Sequence, residues 1–118
     1  VNEVTRIETA DMSRAVRQVG DSWSLLILWA ALQGTTRFDN FQNSLGVARN
    51  ILSNRLSKLV DAGVLMKCPV QSGGRRLEYR ITRKGEALRP ALELIAGWGS
   101  SATPDMPVNR ETQAEARL

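Results

Sequence analysis

The chain has 118 residues, 42% of them hydrophobic, which suits one domain with a modest core and excludes a disordered tail by composition. A single cysteine excludes an intrachain disulfide or a cysteine-rich zinc site, and the absence of histidine removes the usual general base and the commonest metal ligand. The net charge of +4 is unevenly placed: residues 47–90 carry ten basic and three acidic side chains, whereas 1–46 and 91–118 are each slightly acidic. No apolar run reaches the roughly 18–20 residues that span a bilayer, and no signal peptide is visible, so a cytoplasmic protein is expected. The chain opens on Val1, and an initiator methionine or upstream residues are expected to have preceded it.

Residues 1–9 read as a polar arm. A first helix is expected from Asp11 or Ser13, with Ala15, Val16 and Val19 apolar, ending at Gly20. Asp21 or Ser22 caps a second helix, Trp23 to Leu32, which is apolar nearly all round and therefore reads as the central core helix. Trp23 and Trp29 fit core or dimer-seam positions better than ligand stacking, and Gly34 ends the segment. Thr36, Arg37 and Phe38 suggest a very short strand. Asp39 then caps a helix from Asn40 to Leu45, and Phe38 and Phe41 are both expected to plug the core.

Gly46 supplies the tight turn of a helix-turn-helix. The following helix, within 48–62, places Leu52, Leu56 and Leu59 on one face and Asn50, Asn54, Ser57 and Lys58 on the other. Its start is loosely marked, because Ala48 is a poor cap, whereas Ala62 and Gly63 stop it clearly. Leu77, Tyr79 and Ile81 alternate with Glu78 and Arg80 as a half-buried strand, paired with a strand at about 65–70 through a turn at 71–74. A last helix starts near Thr82 or Arg83, and Pro90 within it implies a kink or an early first turn. Its apolar stripe is wider than a small core needs, which points to a dimer interface formed by Val16, Leu88, Leu92, Ile95 and Trp98. The fold is therefore α+β, a winged helix-turn-helix with flanking dimerisation helices, spanning about 10–98 and followed by a polar tail at 99–118.

The basic segment coincides with the second helix of the pair and the hairpin, as a surface that meets phosphates requires. On the helix, Arg49 can pair bidentately with guanine, Asn50 or Asn54 with adenine, and Ser53 permits close approach to base edges. Arg55 and Lys58 are expected at flanking phosphates. Arg75 and Arg76 follow the wing turn, where one can enter the minor groove and the other contact backbone. Against this stands plain solubility for the two asparagines, and ion pairing for Arg80 and Arg83. Cys68, on the first wing strand beside Lys67 and Pro69, reads as a small buried hydrophobe, with a thiol sensor as the rival.

Four stretches, at 19–32, 36–45 (TRFDNFQNSL), 51–65 (ILSNRLSKLVDAGVL) and 75–88 (RRLEYRITRKGEAL), together resemble the HxlR family of bacterial transcriptional regulators, winged-helix proteins similar to the MarR group. The resemblance covers about residues 10–98 and includes Trp23, Arg37-Phe38, Arg55-Leu56, Ala62-Gly63, Glu78-Tyr79, Thr82 and Gly85. It implies a homodimer paired through the first and last helices and an inverted-repeat operator near its own or a neighbouring gene. Ala10 stands where several family members carry a sensing cysteine, which counts against a cysteine-based switch there. Ala48-Arg49 replaces the family's small cap and proline, and Ser72-Gly73-Gly74 replaces its often proline-containing wing tip, so a mobile wing and a different base preference are expected.

An enzyme is disfavoured, since no P-loop or Rossmann glycine pattern accompanies the missing histidine. RNA is disfavoured because the wing lacks an aromatic platform for stacking bases. The serious alternative is a winged domain used for protein contacts, which would make the helix and wing apolar or acidic. The expected partners are double-stranded operator DNA, a second copy of the chain and an unidentified small-molecule effector, with no cofactor, no metal and no membrane.

Overall fold

A computed structural model of the chain describes residues 7–70 and 77–101. The elements are α1 (Thr9–Val19), α2 (Ser22–Leu32), α3 (Phe38–Leu45), α4 (Arg49–Asp61), β1 (Leu65–Pro69), β2 (Leu77–Ile81), α5 (Arg83–Glu86) and α6 (Arg89–Gly99). Among the described residues, no helix is long and apolar enough to cross a membrane. α1 begins earlier than its apolar residues suggest because Glu8 and Asp11 form a capping box, each carboxylate accepting from the other's backbone N–H. None of its residues is buried.

α2 is the centre of the core, with Ile27 and Leu28 fully excluded from solvent and Ala30, Ala31 and Leu32 nearly so. Phe41 from α3, Leu52, Leu56 and Leu59 from α4, and Leu65 from β1 close around it. Phe38 is only half-buried at the edge of this cluster, so of the two phenylalanines only Phe41 is a full core plug. α3 starts at Phe38 rather than Asn40, with Arg37 at the N-cap and Asp39 inside the first turn, where its charge suits the positive helix end. Gly46 ends α3 with φ 66° and ψ 30°, a left-handed conformation that a side chain would oppose. Val47, which is buried, and exposed Ala48 complete the turn, and Ala48 makes no side-chain cap bond.

β1 and β2 pair antiparallel from Leu65↔Ile81 to Pro69↔Leu77. The turn expected at 71–74 lies outside the described residues, as do the N-terminal residues 1–6 and the tail from 102 onward. The short strand expected at 36–38 is reduced to one bridge, Arg37↔Glu78, supported by Tyr79 N–H donating to the Thr36 carbonyl at 2.7 Å. It still ties β2 to the start of the helix-turn-helix.

The final helix is two helices. Thr82 caps α5, its hydroxyl accepting from Gly85 N–H (3.0 Å) and donating to the Gly63 carbonyl (2.6 Å). α6 then restarts with Pro90 in its first turn, where no intrahelical N–H is needed. Of the two options for Pro90, the early first turn is the one adopted. Leu92 is buried against α2 and Leu88 is half-buried, so Leu92 belongs to the chain's own core and not to the unpartnered stripe assigned from the sequence.

Gly85 is buried where a Cβ would overlap the Val64 carbonyl oxygen and come within 2.7 Å of Ile81 Cδ1. The Gly85→Ala variant should lose about 1–3 kcal/mol of stability. Urea unfolding would register this as a lower midpoint at unchanged slope.

Candidate nucleic-acid interface

The buried leucines of α4 fix which side of the helix faces away from the core. Leu52, Leu56 and Leu59 have no exposed surface, and the first turns of the helix present Arg49, Asn50, Ser53 and Asn54, all exposed. The Arg49 guanidinium lies over the Phe38 ring, 4.7 Å from its centroid. It makes no hydrogen bond or ion pair among the described residues, so the ring contact supports the side chain while the N–H groups remain available. Half-exposed Phe38 thus acts as a shelf for the first side chain of the helix, a role that its apolar character alone did not disclose.

Arg55 and Lys58 are placed differently from the sequence expectation of flanking phosphate contacts. Arg55 Nε donates to Asp21 Oδ1 (3.0 Å) and Lys58 Nζ to Asp21 Oδ2 (2.9 Å). The same carboxylate caps α2, accepting from Ser24 N–H (2.9 Å) and from the hydroxyl of fully buried Ser24 (2.7 Å). Partial burial by itself would raise the Asp21 pKa. The hydrogen bonds from Lys58, from both Ser24 donors and from Arg55 outweigh that penalty and hold the carboxyl well below the usual carboxylate range. Two cations share one anion, so this edge of α4 stays positive while its side chains are anchored.

Arg80 is ion-paired with Glu78 (3.0 Å), in line with the structural reading of that arginine, whereas Arg83 is exposed with no partner among the described residues. Arg75 and Arg76 lie outside the described residues. Cys68 is half-buried on β1 opposite Glu78. Lys67 projects from the other face of the strand, over the Tyr79 ring at 5.9 Å, so the cation nearest in sequence is turned away from the thiol.

The surface assigned to dimerisation divides. Val16, Ile95 and Trp98 are exposed, Trp98 at 81%, while Leu88 and Leu92 pack inward. Leu94, at 76% exposure, belongs with the outer group, as do Ile7 and Met12. The signal for Leu94 was present in the 91, 94, 95, 98 spacing of α6, which runs beside the inward positions 88 and 92. An apolar groove lined by Leu26, Trp29, Leu92, Ile95 and Ala96 separates α2 from α6.

A helix-turn-helix whose second helix offers a polar outer face, followed by a two-stranded wing, defines a winged helix-turn-helix fold. A family model described as HxlR-like helix-turn-helix matches residues 18–106. The chain belongs to that family. It is 38% identical over 99 residues to an uncharacterized HTH-type transcriptional regulator of Mycobacterium tuberculosis, a match covering 84% of this chain and 63% of that protein. The chain thus spans less than two thirds of the length of this mycobacterial relative. It is similar to the crystal structure of PA1607, a candidate transcription factor, with a TM-score of 0.73, 47% identity, and coverage of 80% of this chain and 67% of that one. A candidate MarR-family regulator from Enterococcus faecalis superposes with a TM-score of 0.69 at 25% identity, covering 97% of this chain and 96% of that one.

Because the folded-state pKa of Asp21 lies below its ordinary value of 3.8, protonation favours the unfolded chain. The stability that this carboxylate contributes is complete above about pH 5 and is lost as the pH falls through 3.8 and below. Asp21→Asn should therefore flatten the decline in unfolding free energy between about pH 5 and pH 3, measured by urea titration at each pH.

Proposed function

We propose that the protein is a homodimeric transcriptional regulator that binds an inverted-repeat operator in duplex DNA, with α4 in the major groove and the wing beside it. The observation that carries this reading is the outward face of α4, where Arg49, Asn50, Ser53 and Asn54 stand exposed over a fully buried leucine face. The concentration of basic residues in 47–90 supports it, because phosphate neutralisation supplies most of the affinity for any duplex. A domain used for protein contacts would be expected to offer an apolar or acidic face instead. Arg49 is assigned to base edges, Asn50 and Ser53 to the groove floor, and Arg75 and Arg76 to phosphate or the minor groove. The protein is taken to act in the cytoplasm, on the chromosome.

The test is fluorescence-anisotropy titration of fluorescent duplexes across a salt series. Replacing Arg75 and Arg76 together by Ala should weaken binding to all duplexes and reduce the steepness of log affinity against log salt by about one to two. An unchanged slope would remove both arginines from the phosphate contacts, and no salt dependence in the wild type would remove DNA altogether.

The dimer reading rests on two helices with uncovered apolar surface. α1 buries none of its residues, yet carries Met12, Val16 and Val19 at helical spacing, and α6 exposes Leu94, Ile95 and Trp98. Pairing about a twofold axis through α1 and α6 would cover both and set two recognition helices about 34–36 Å apart, one turn of duplex. Ile95→Glu should shift the protein to a monomer in analytical ultracentrifugation and abolish tight operator binding. A wild type that sediments as a monomer at micromolar concentration and still binds a single half-site tightly would end this reading.

A further inference from the structure

Asn54 is exposed on α4, yet its carboxamide has a fixed sense. Arg55 donates from Nη1 to Asn54 Oδ1 (2.8 Å) while its Nε donates to Asp21 Oδ1 (3.0 Å). A guanidinium has only donors, so the Asn54 atom that faces it must be the oxygen and the NH2 group must face away. Asp21 is in turn immobilised at the α2 N-cap by the backbone N–H and hydroxyl of buried Ser24, and by Lys58 on its second oxygen. A continuous series of contacts thus runs from buried Ser24, through Asp21 and Arg55, to a side chain on the outer face.

We infer that Asp21 and Arg55 are positioning residues for base readout, holding Asn54 so that it offers its amide N–H donors to the groove and accepts only a base that itself presents an acceptor there. The inference rests on the DNA-binding reading above. Bidentate recognition of adenine by asparagine needs the amide oxygen to accept from the N6 amino group while the NH2 group donates to N7. Here the oxygen is turned toward Arg55, so Asn54 keeps the N7 contact common to both purines and loses the feature that separates adenine from guanine. Guanine O6 and thymine O4 are further acceptors, whereas the cytosine N4 amino group is a donor and is refused. Of the two asparagines, Asn50 remains the one free to read adenine with both ends of its amide, since it makes no hydrogen bond among the described residues.

The rival role for Arg55 is a phosphate contact, and the two roles predict different data. Duplexes with randomised sequence would be selected on the wild type, N54A, R55K and D21N, and the free proteins examined by NMR for the Arg55 Nε–H signal. R55K retains the charge but lacks the two-ended fork, and D21N can still accept at the helix cap. The wild-type consensus should contain one position, relaxed by N54A, that disfavours cytosine by about tenfold and does not separate adenine from guanine. At that position alone, R55K should let an adenine preference emerge, with D21N shifting it in the same direction by less. In the free wild type the Nε–H signal should exchange slowly with water and move in both D21N and N54A. A consensus unchanged in R55K and D21N would overturn the inference while leaving DNA binding intact. So would an even loss of affinity in R55K for every duplex with a shallower salt slope, the signature of a phosphate contact. A wild type that enriches no sequence would overturn the DNA reading and this inference with it, and the NMR signal would then report only whether the contacts exist.

Discussion

A single carboxylate, that of Asp21, accepts four hydrogen bonds from three residues, and the relation between the core helix α2 and α4 depends on it. Two of those bonds close the N-terminus of α2, where the first backbone N–H groups otherwise lack partners. The other two come from the flank of α4, more than thirty residues later in the chain. Leu52, Leu56 and Leu59 press α4 onto the core but leave it free, in principle, to slide or roll. Directional bonds from Arg55 and Lys58 remove that freedom, because apolar burial is not directional and charge-assisted hydrogen bonds are. Desolvating a carboxylate is costly, and here four donors more than offset it.

The far end of α4 is held by a different device. Its terminal carbonyls are met by Lys84 Nζ on Ala62 (2.8 Å) and by the Thr82 hydroxyl on Gly63. A lysine at a helix C-terminus also complements the negative end of the dipole. Both donors come from the junction between β2 and α5, so the wing and α4 share one joint. Close packing of Gly85 on Val64 keeps that joint tight. At the base of the molecule, Arg89 reaches back to the Leu32 carbonyl (3.0 Å) and ties the start of α6 to the end of α2. The end of α4 and the start of α6 are therefore both anchored by side-chain bonds to neighbouring elements.

Much of this architecture was legible in the chain, and the parts that were share a local cause. Asp21 before an apolar run, Gly46 and Gly63 after periodic ones, and alternation at 77–81 are signals carried within a few residues, since caps, left-handed turns and pleats are set by the local backbone. The leucine spacing alone put Asn50, Asn54, Ser57 and Lys58 on the other face, and of these Asn50, Asn54 and Ser57 are exposed while Lys58 is half-buried. Pro90 announced an interruption, though not that the preceding turn would be a separate helix capped by Thr82.

What needed tertiary structure is of another kind. In α6 the spacing supports two overlapping stripes, and only the position of α2 decides that Leu92 turns inward while Leu94 and Trp98 turn out. The sequence determined that α4 has a polar, basic outer face, because helical periodicity converts residue order into sides of a cylinder without reference to any neighbour. It could not determine that Arg55 and Lys58 are bound to Asp21, since pairing across 34 and 37 residues depends on how α2 and α4 cross. Charge along a chain states how many cations are present. Only the packed fold decides which of them are held by ion pairs within the protein and which, like Arg49 over Phe38, keep their N–H groups free of them.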